Sequence, residues 1–204
     1  MQIAMLLYAG FRLLDVGDSL EVFELANRLC GRTFYETKLL GPHCGTVVAA
    51  SGVALATTAC YSRAASAFDI VMVPGSRLDH TKHDNRMAVD WLRDTGAATP
   101  RLASVSSGAH LIARAGLANG RWLATHPHDV RRLTDEHPSA YVLAIEGCLK
   151  DGNLYSSGSE RAGLHLAVAL VREDLGPEAA DRIGTSLGLQ LPQHTANALN
   201  RTRQ

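Results

Sequence analysis

The feature that most constrains this chain is a series of short runs that stay apolar through their centres, each followed by a helical segment. They are "IAMLLY" (3–8), "FDIVMVPGS" (68–76) and "RLASV" (101–105). A strand with no polar face is buried on both sides, as in a parallel sheet covered by helices. The intervening segments supply those helices. One is expected from about Gly17 to Cys30, with Asp18 and Glu21 spaced as a capping box and Leu20, Phe23, Ala26 and Leu29 facing inward. A second runs from Asp84 to Thr95, with Met87, Trp91 and Leu92 on one face and Gly96 as its stop. A long helix from roughly Glu160 to Leu175 turns Leu164, Ala167, Val168, Val171 and Leu175 inward, and Pro177 suits the first turn of a last helix.

"YETKLL" (35–40) reads as another strand, and "TVVAASGVALATTA" (46–59) as a hairpin turning at Ser51-Gly52. Asn119-Gly120 and Asp151-Gly152 mark tight turns. Strands alternating with helices imply right-handed βαβ units. The expected fold is therefore α/β: a flavodoxin-like parallel sheet flanked by helices on both faces, with a small β-hairpin extension. No repeat or linker interrupts it, so residues 1–190 are expected as one domain and 191–204 as a tail or the start of a linker. Ligands of such sheets sit beyond the carboxyl ends of the strands. The loop after Tyr8, the Pro74-Gly75-Ser76 loop and the turn at Ser106 should converge there.

Charge narrows the partners. Lys and Arg number 20 and Asp and Glu number 20, so the surface is not that of a protein gripping nucleic acid all over. No basic residues interleave with Trp91 or Trp122, which are expected to pack rather than to stack on bases. Cys30, Cys44, Cys60 and Cys148 are scattered without a CxxC pair, so reduced thiols are expected. The N-terminus enters a strand without a basic leader, and no run is long enough to span a bilayer; a cytoplasmic, membrane-free protein is expected.

Residues 104–108, Ser-Val-Ser-Ser-Gly, depart from the G-x-S-x-G elbow only at the first glycine. A residue on such a turn sits over a helix N-terminus, which would bring a thiol into its reactive range. A hydroxyl gains far less and needs an adjacent base. The plainer alternative is that Ser106 and Ser107 cap the helix. A Ser–Asp–His order exists as Ser106, Asp129 or Asp135, and His165, but His165 falls inside the long helix. His126 is a better pocket candidate, and His110, one turn beyond Ser106, is placed at the rim. His126 with His128, or His80 with His83, do not make a ligand set, and P-loop and GxGxxG motifs are absent. Neither a metal nor a cofactor is expected.

Four segments together resemble the ThiJ/PfpI superfamily, whose fold is class I glutamine-amidotransferase-like. They are "GFRLLDVGDSLEVFELANRL" (10–29), "DIVMVPG" (69–75), "SVSSGAHLIARAGLANGRWLATH" (104–126) and "LYSSGSERAGLHLAVALVREDLG" (154–176). The resemblance is greatest to the amino-terminal sensing domains of AraC-type transcription regulators and to isonitrile hydratases. It implies an acidic residue after the first strand that bonds the elbow side chain, here Asp15. It also implies a cysteine at the elbow, where this chain has Ser106. A native serine and a serine introduced in place of cysteine to trap a ligand both remain open.

Two functions follow as expectations. The first is a non-catalytic, ligand-sensing and dimerisation domain of an AraC-family regulator. Asp15, Gly75, Ser76, Ser106, Ser107, His110 and His126 would form its small-molecule site. The resemblance implies a homodimer, with DNA reached only through a downstream helix-turn-helix domain absent from this chain; Arg201 and Arg203 are the first hint of basic character, which a frayed tail explains equally well. The alternative is a stand-alone enzyme, an isonitrile hydratase-like hydro-lyase or a hydrolase, using Asp15 and residue 106.

Overall fold

The computed structural model describes residues 1–64, 67–76, 85–158 and 161–189, with the backbone of 196–197. Along the chain run β1 (Gln2–Leu6), α1 (Leu13–Cys30), β2 (Glu36–Gly41), β3 (Thr46–Val48), β4 (Ala54–Ala56), β5 (Ala59–Cys60) and β6 (Ile70–Val73). Then come α2 (Arg86–Thr95), β7 (Arg101–Val105), α3 (Ala109–Arg114), β8 (Trp122–Ala124), α4 (Val130–Glu136), β9 (Tyr141–Leu143), β10 (Leu149–Asp151) and β11 (Leu154–Ser157). The chain continues through α5 (Ala162–Leu175) and α6 (Pro177–Ser186) to β12 (Ala196–Asn197).

The main sheet has the order β12-β10-β11-β7-β6-β1-β2-β5. Its pairs are parallel except β10 with β11, which the Asp151-Gly152 turn joins as antiparallel neighbours. The all-apolar runs form its centre: Ile3 to Leu6 and Ile70 to Val73 are fully buried, so each needs a helix on both sides. Helices α1, α5 and α6 pack together, and α2 packs against α3. This is the expected α/β sheet flanked by helices, and β3 and β4 form the small antiparallel hairpin. Trp91 stacks on Tyr61 with ring centroids 5.9 Å apart, and Trp122 lies 5.3 Å from Tyr141, so both pack. Among the described residues no helix is long and apolar enough to cross a membrane.

Several expectations need correction. Helix α1 begins at Leu13, not Gly17, and Arg12 precedes it without a side-chain cap. Asp18 and Glu21 are thus inside the helix, because backbone bonds made by the Arg12 loop set its start. Leu29 and Met87 are 38% and 44% exposed; the buried face of α2 is Ala88, Val89, Trp91 and Leu92. The cysteines are not all thiols, since Cys44 and Cys60 are joined in a disulfide and Cys30 and Cys148 are free. The hairpin brings together two positions that look unrelated in sequence. Residues 77–84, with His80 and His83, lie outside the described residues, as do Glu160, Arg201 and Arg203.

Candidate functional site

The three predicted loops meet. After β1 the chain turns so that the Arg12 N–H donates to the Gly75 carbonyl at 2.7 Å, and Phe11 forms an isolated antiparallel bridge with Ser76. The Ser76 hydroxyl donates to the Gly10 carbonyl at 2.7 Å. Beneath them the Tyr8 hydroxyl donates to the Pro74 carbonyl at 2.5 Å. Burial, and next the charge of Asp15, push the Tyr8 phenol well above its ordinary pKa, so it stays a neutral donor.

Asp15 lies in the first turn of α1 and is buried to 2% exposure. Its Oδ2 accepts the Gly75 N–H at 2.9 Å, and its Oδ1 stands 3.6 Å from the Arg12 Nε. The carboxylate therefore fastens the loop after β6 to the start of α1. Gly75 is required for this closeness: a Cβ there would lie 2.8 Å from Asp15 Oδ2 and 3.0 Å from Ser107 Oγ.

The elbow after β7 is a single 3-10 turn, Ser106–Gly108, leading into α3. Ser106 has φ 51° and is the only non-glycine residue with positive φ among the described residues. That conformation is sparsely populated for an L-residue and costs on the order of 1 kcal/mol or more. Two contacts hold it. The Thr125 hydroxyl donates to the Ser106 carbonyl at 3.2 Å. Gly108 presses against the previous strand, where a Cβ would come within 2.3 Å of the Val73 carbonyl oxygen. No side-chain cap bond is made at this turn, so the capping alternative for Ser106 and Ser107 fails. Ser107 instead clasps Ser76: its Oγ accepts the Ser76 N–H at 2.9 Å and donates to the Ser76 carbonyl at 2.8 Å.

Ser106, Ser107 and Ser76 open into a cavity of about 480 Å³. Arg12, Leu14, His126, Asp129 and Arg161 complete its lining. His126 therefore lines the same cavity as the elbow; its Nδ1 accepts the His128 N–H at 3.3 Å. His110 does not reach the rim. It is 1% exposed and lies beneath, with Nε2 3.7 Å from Asp129 Oδ1 and Nδ1 3.7 Å from Glu136 Oε2. Burial alone would raise the Glu136 pKa, but the hydrogen bond and charge of Arg132, aided by His110, hold it below the ordinary value.

Asp135 is exposed on α4, away from the cavity lining, and His165 is on α5, where burial and then Arg161 lower its pKa. The Ser–Asp–His order written in the sequence therefore does not converge at the cavity. Arg12 and Arg161 escaped the sequence reading. Arg161 ends the loop after β11, another carboxyl-end loop, and that position was the available signal; it pairs with Asp18 at 3.4 Å. Among the described residues no group of three His, Cys, Asp or Glu side chains gathers to hold a metal ion.

Comparison with known proteins agrees with this geometry. The model of the DJ-1/PfpI family matches residues 1–173. The HTH-type transcriptional regulator GlxA of Rhizobium meliloti (strain 1021) is 28% identical over 182 residues, 89% of this chain and 56% of that protein. The isonitrile hydratase of Pseudomonas putida is 26% identical over 122 residues, 58% of this chain and 51% of that protein. The chain spans about half the length of these curated relatives. The crystal structure of an AraC family transcriptional regulator from Pseudomonas putida has a TM-score of 0.78 at 20% identity. It covers 91% of this chain and 98% of that one, a likeness of fold.

Proposed function

The chain belongs to the DJ-1/PfpI family, and from that premise we propose that it is the ligand-sensing and dimer-forming part of an AraC-type transcription regulator. In this reading residues 1–190 form the sensing domain, and 191–204 lead toward a DNA-reading helix-turn-helix domain in the same protein. The cavity at Ser106 binds a small polar molecule. Two guanidinium groups, Arg12 and Arg161, suit a carboxylate on it, and Asp129 suits a donor or a cationic end. The ligand shifts how two copies orient their DNA-reading halves.

The carrying observation is that the elbow keeps its strained backbone while presenting a hydroxyl. Asp15, the acid that the family resemblance sets near the elbow, receives the Gly75 N–H and faces Arg12. A carboxylate held in that way is a poor match for a serine hydroxyl, whose pKa lies far above its own. The likeness to regulators over 89% of the chain supports the same reading.

A second reading has its own support: Ser106, His126 and Asp129 line one cavity, and part of the chain is similar to an isonitrile hydratase. One experiment separates the two. A panel of carboxylate-bearing metabolites is screened by thermal shift, and each binder is titrated by calorimetry. On the sensor reading Ser106→Ala keeps affinity within about twofold, whereas Asp15→Ala weakens it about tenfold or more through loss of the Gly75 and Arg12 contacts. Turnover of an isonitrile or another substrate that collapses in Ser106→Ala would establish the enzyme instead.

A further inference from the structure

The Cys44–Cys60 disulfide takes no part in the site, yet it lies at the base of a segment that braces it. The cysteines are 16 residues apart, and the loop they close contains the whole β3–β4 hairpin. Thr57 ties the same base: its N–H donates to the Gly45 carbonyl at 2.7 Å, and its hydroxyl oxygen accepts the Gly45 N–H at 3.0 Å. From there the hairpin reaches the loop between β1 and α1. The Gly10 N–H donates to the Val48 carbonyl at 3.0 Å, and the Ala50 N–H to the Phe11 carbonyl at 2.9 Å. Arg12 follows at once on the cavity wall, and Phe11 bridges to Ser76.

The two sulfurs differ in access. Cys44 is exposed, whereas Cys60 is buried with the Ser62 hydroxyl 3.8 Å from its Sγ. A disulfide sulfur carries no proton, so the hydroxyl is the donor there. We infer that Cys44–Cys60 is a thiol–disulfide exchange site whose state regulates how firmly the hairpin holds the Arg12 loop against the Ser106 cavity. The reactant is a small thiol. Its thiolate attacks Cys44 Sγ, the bond to Cys60 breaks, and Cys60 leaves as a thiolate that accepts the Ser62 hydroxyl. A second small thiol then attacks the mixed disulfide at its own kind's sulfur and releases Cys44 as a thiolate. Two small thiols become one small disulfide, giving up two electrons and two protons, and the protein gains two thiols.

Reduction opens the covalent ring, so the hairpin base depends on non-covalent contacts and the loop regains conformational freedom. The regulatory consequence rests on the cavity being the ligand site; the exchange itself does not.

Hydrogen–deuterium exchange on the whole chain, without ligand, tests the inference. Dithiothreitol should speed exchange of the Gly10 and Ala50 amides about tenfold or more and leave the β7 amides unchanged. Cys44→Ser, at the exposed end, should show the fast rates with or without dithiothreitol, and Cys60→Ser should match it. Iodoacetamide should label Cys44 and Cys60 only after reduction. Unchanged Gly10 and Ala50 rates in fully reduced protein would overturn the inference, as would labelling of both cysteines without reductant. Since no ligand enters the test, its failure leaves the sensing reading standing, and a failed ligand screen leaves this result intact.

Discussion

The floor and the rim of the cavity are built in opposite ways. The floor is backbone held at close quarters: Gly75 against Asp15 and Ser107, Gly108 against the Val73 carbonyl, and Ser107 clasping Ser76. Its parts are closely packed and mutually dependent. The rim is made of long or ring side chains, Arg12, Arg161 and His126, with Asp129 among them. On the sensing reading proposed above, the contrast divides the labour between them: the floor preserves a shape, and the rim decides what that shape accepts.

Substitutions can break that contrast in order of size. Gly108→Ala should be the most damaging, since its Cβ meets two backbone carbonyls that cannot step aside. A loss of about 3 kcal/mol or more in urea unfolding is expected. Ser107→Ala removes one acceptor and one donor facing Ser76. It should cost about 1–2 kcal/mol in the same assay. Arg161→Ala lies on the rim, in an ion pair with Asp18 that is partly open to water. Stability should change by less than about 0.5 kcal/mol, while a carboxylate ligand should bind about tenfold more weakly by calorimetry. If Arg161→Ala proved as destabilising as Ser107→Ala, the separation of floor from rim would be wrong.

Much of this was legible in the sequence. The runs at 3–8 and 68–76, apolar through their centres, announced central parallel strands, and Pro177 opens α6 as its fixed φ predicts. The elbow was visible because only small residues fit where a strand turns straight into a helix. What escaped was tertiary. The start of α1 looked like Gly17 because the Asp18–Glu21 capping pattern is local, whereas Leu13 is chosen by the Arg12 N–H reaching Gly75. Ser107 looked like a cap because its distant partner, Ser76, cannot be seen from neighbours in sequence. The disulfide was hidden for a similar reason, although both cysteines flank the predicted hairpin, and a hairpin brings its flanks together. Arg161 belongs to the site only because β11 lies beside β7 in the sheet.

The left-handed turn at Ser106 has one more consequence. Serine and cysteine differ there by a single atom, oxygen or sulfur, and the backbone that would present a reactive thiol is already in place. The scaffold thus stands one substitution away from presenting a thiol on that turn. On the sensing reading proposed above, passage between receptor and catalyst needs no rebuilding of the fold, only an exchange of oxygen for sulfur at that turn.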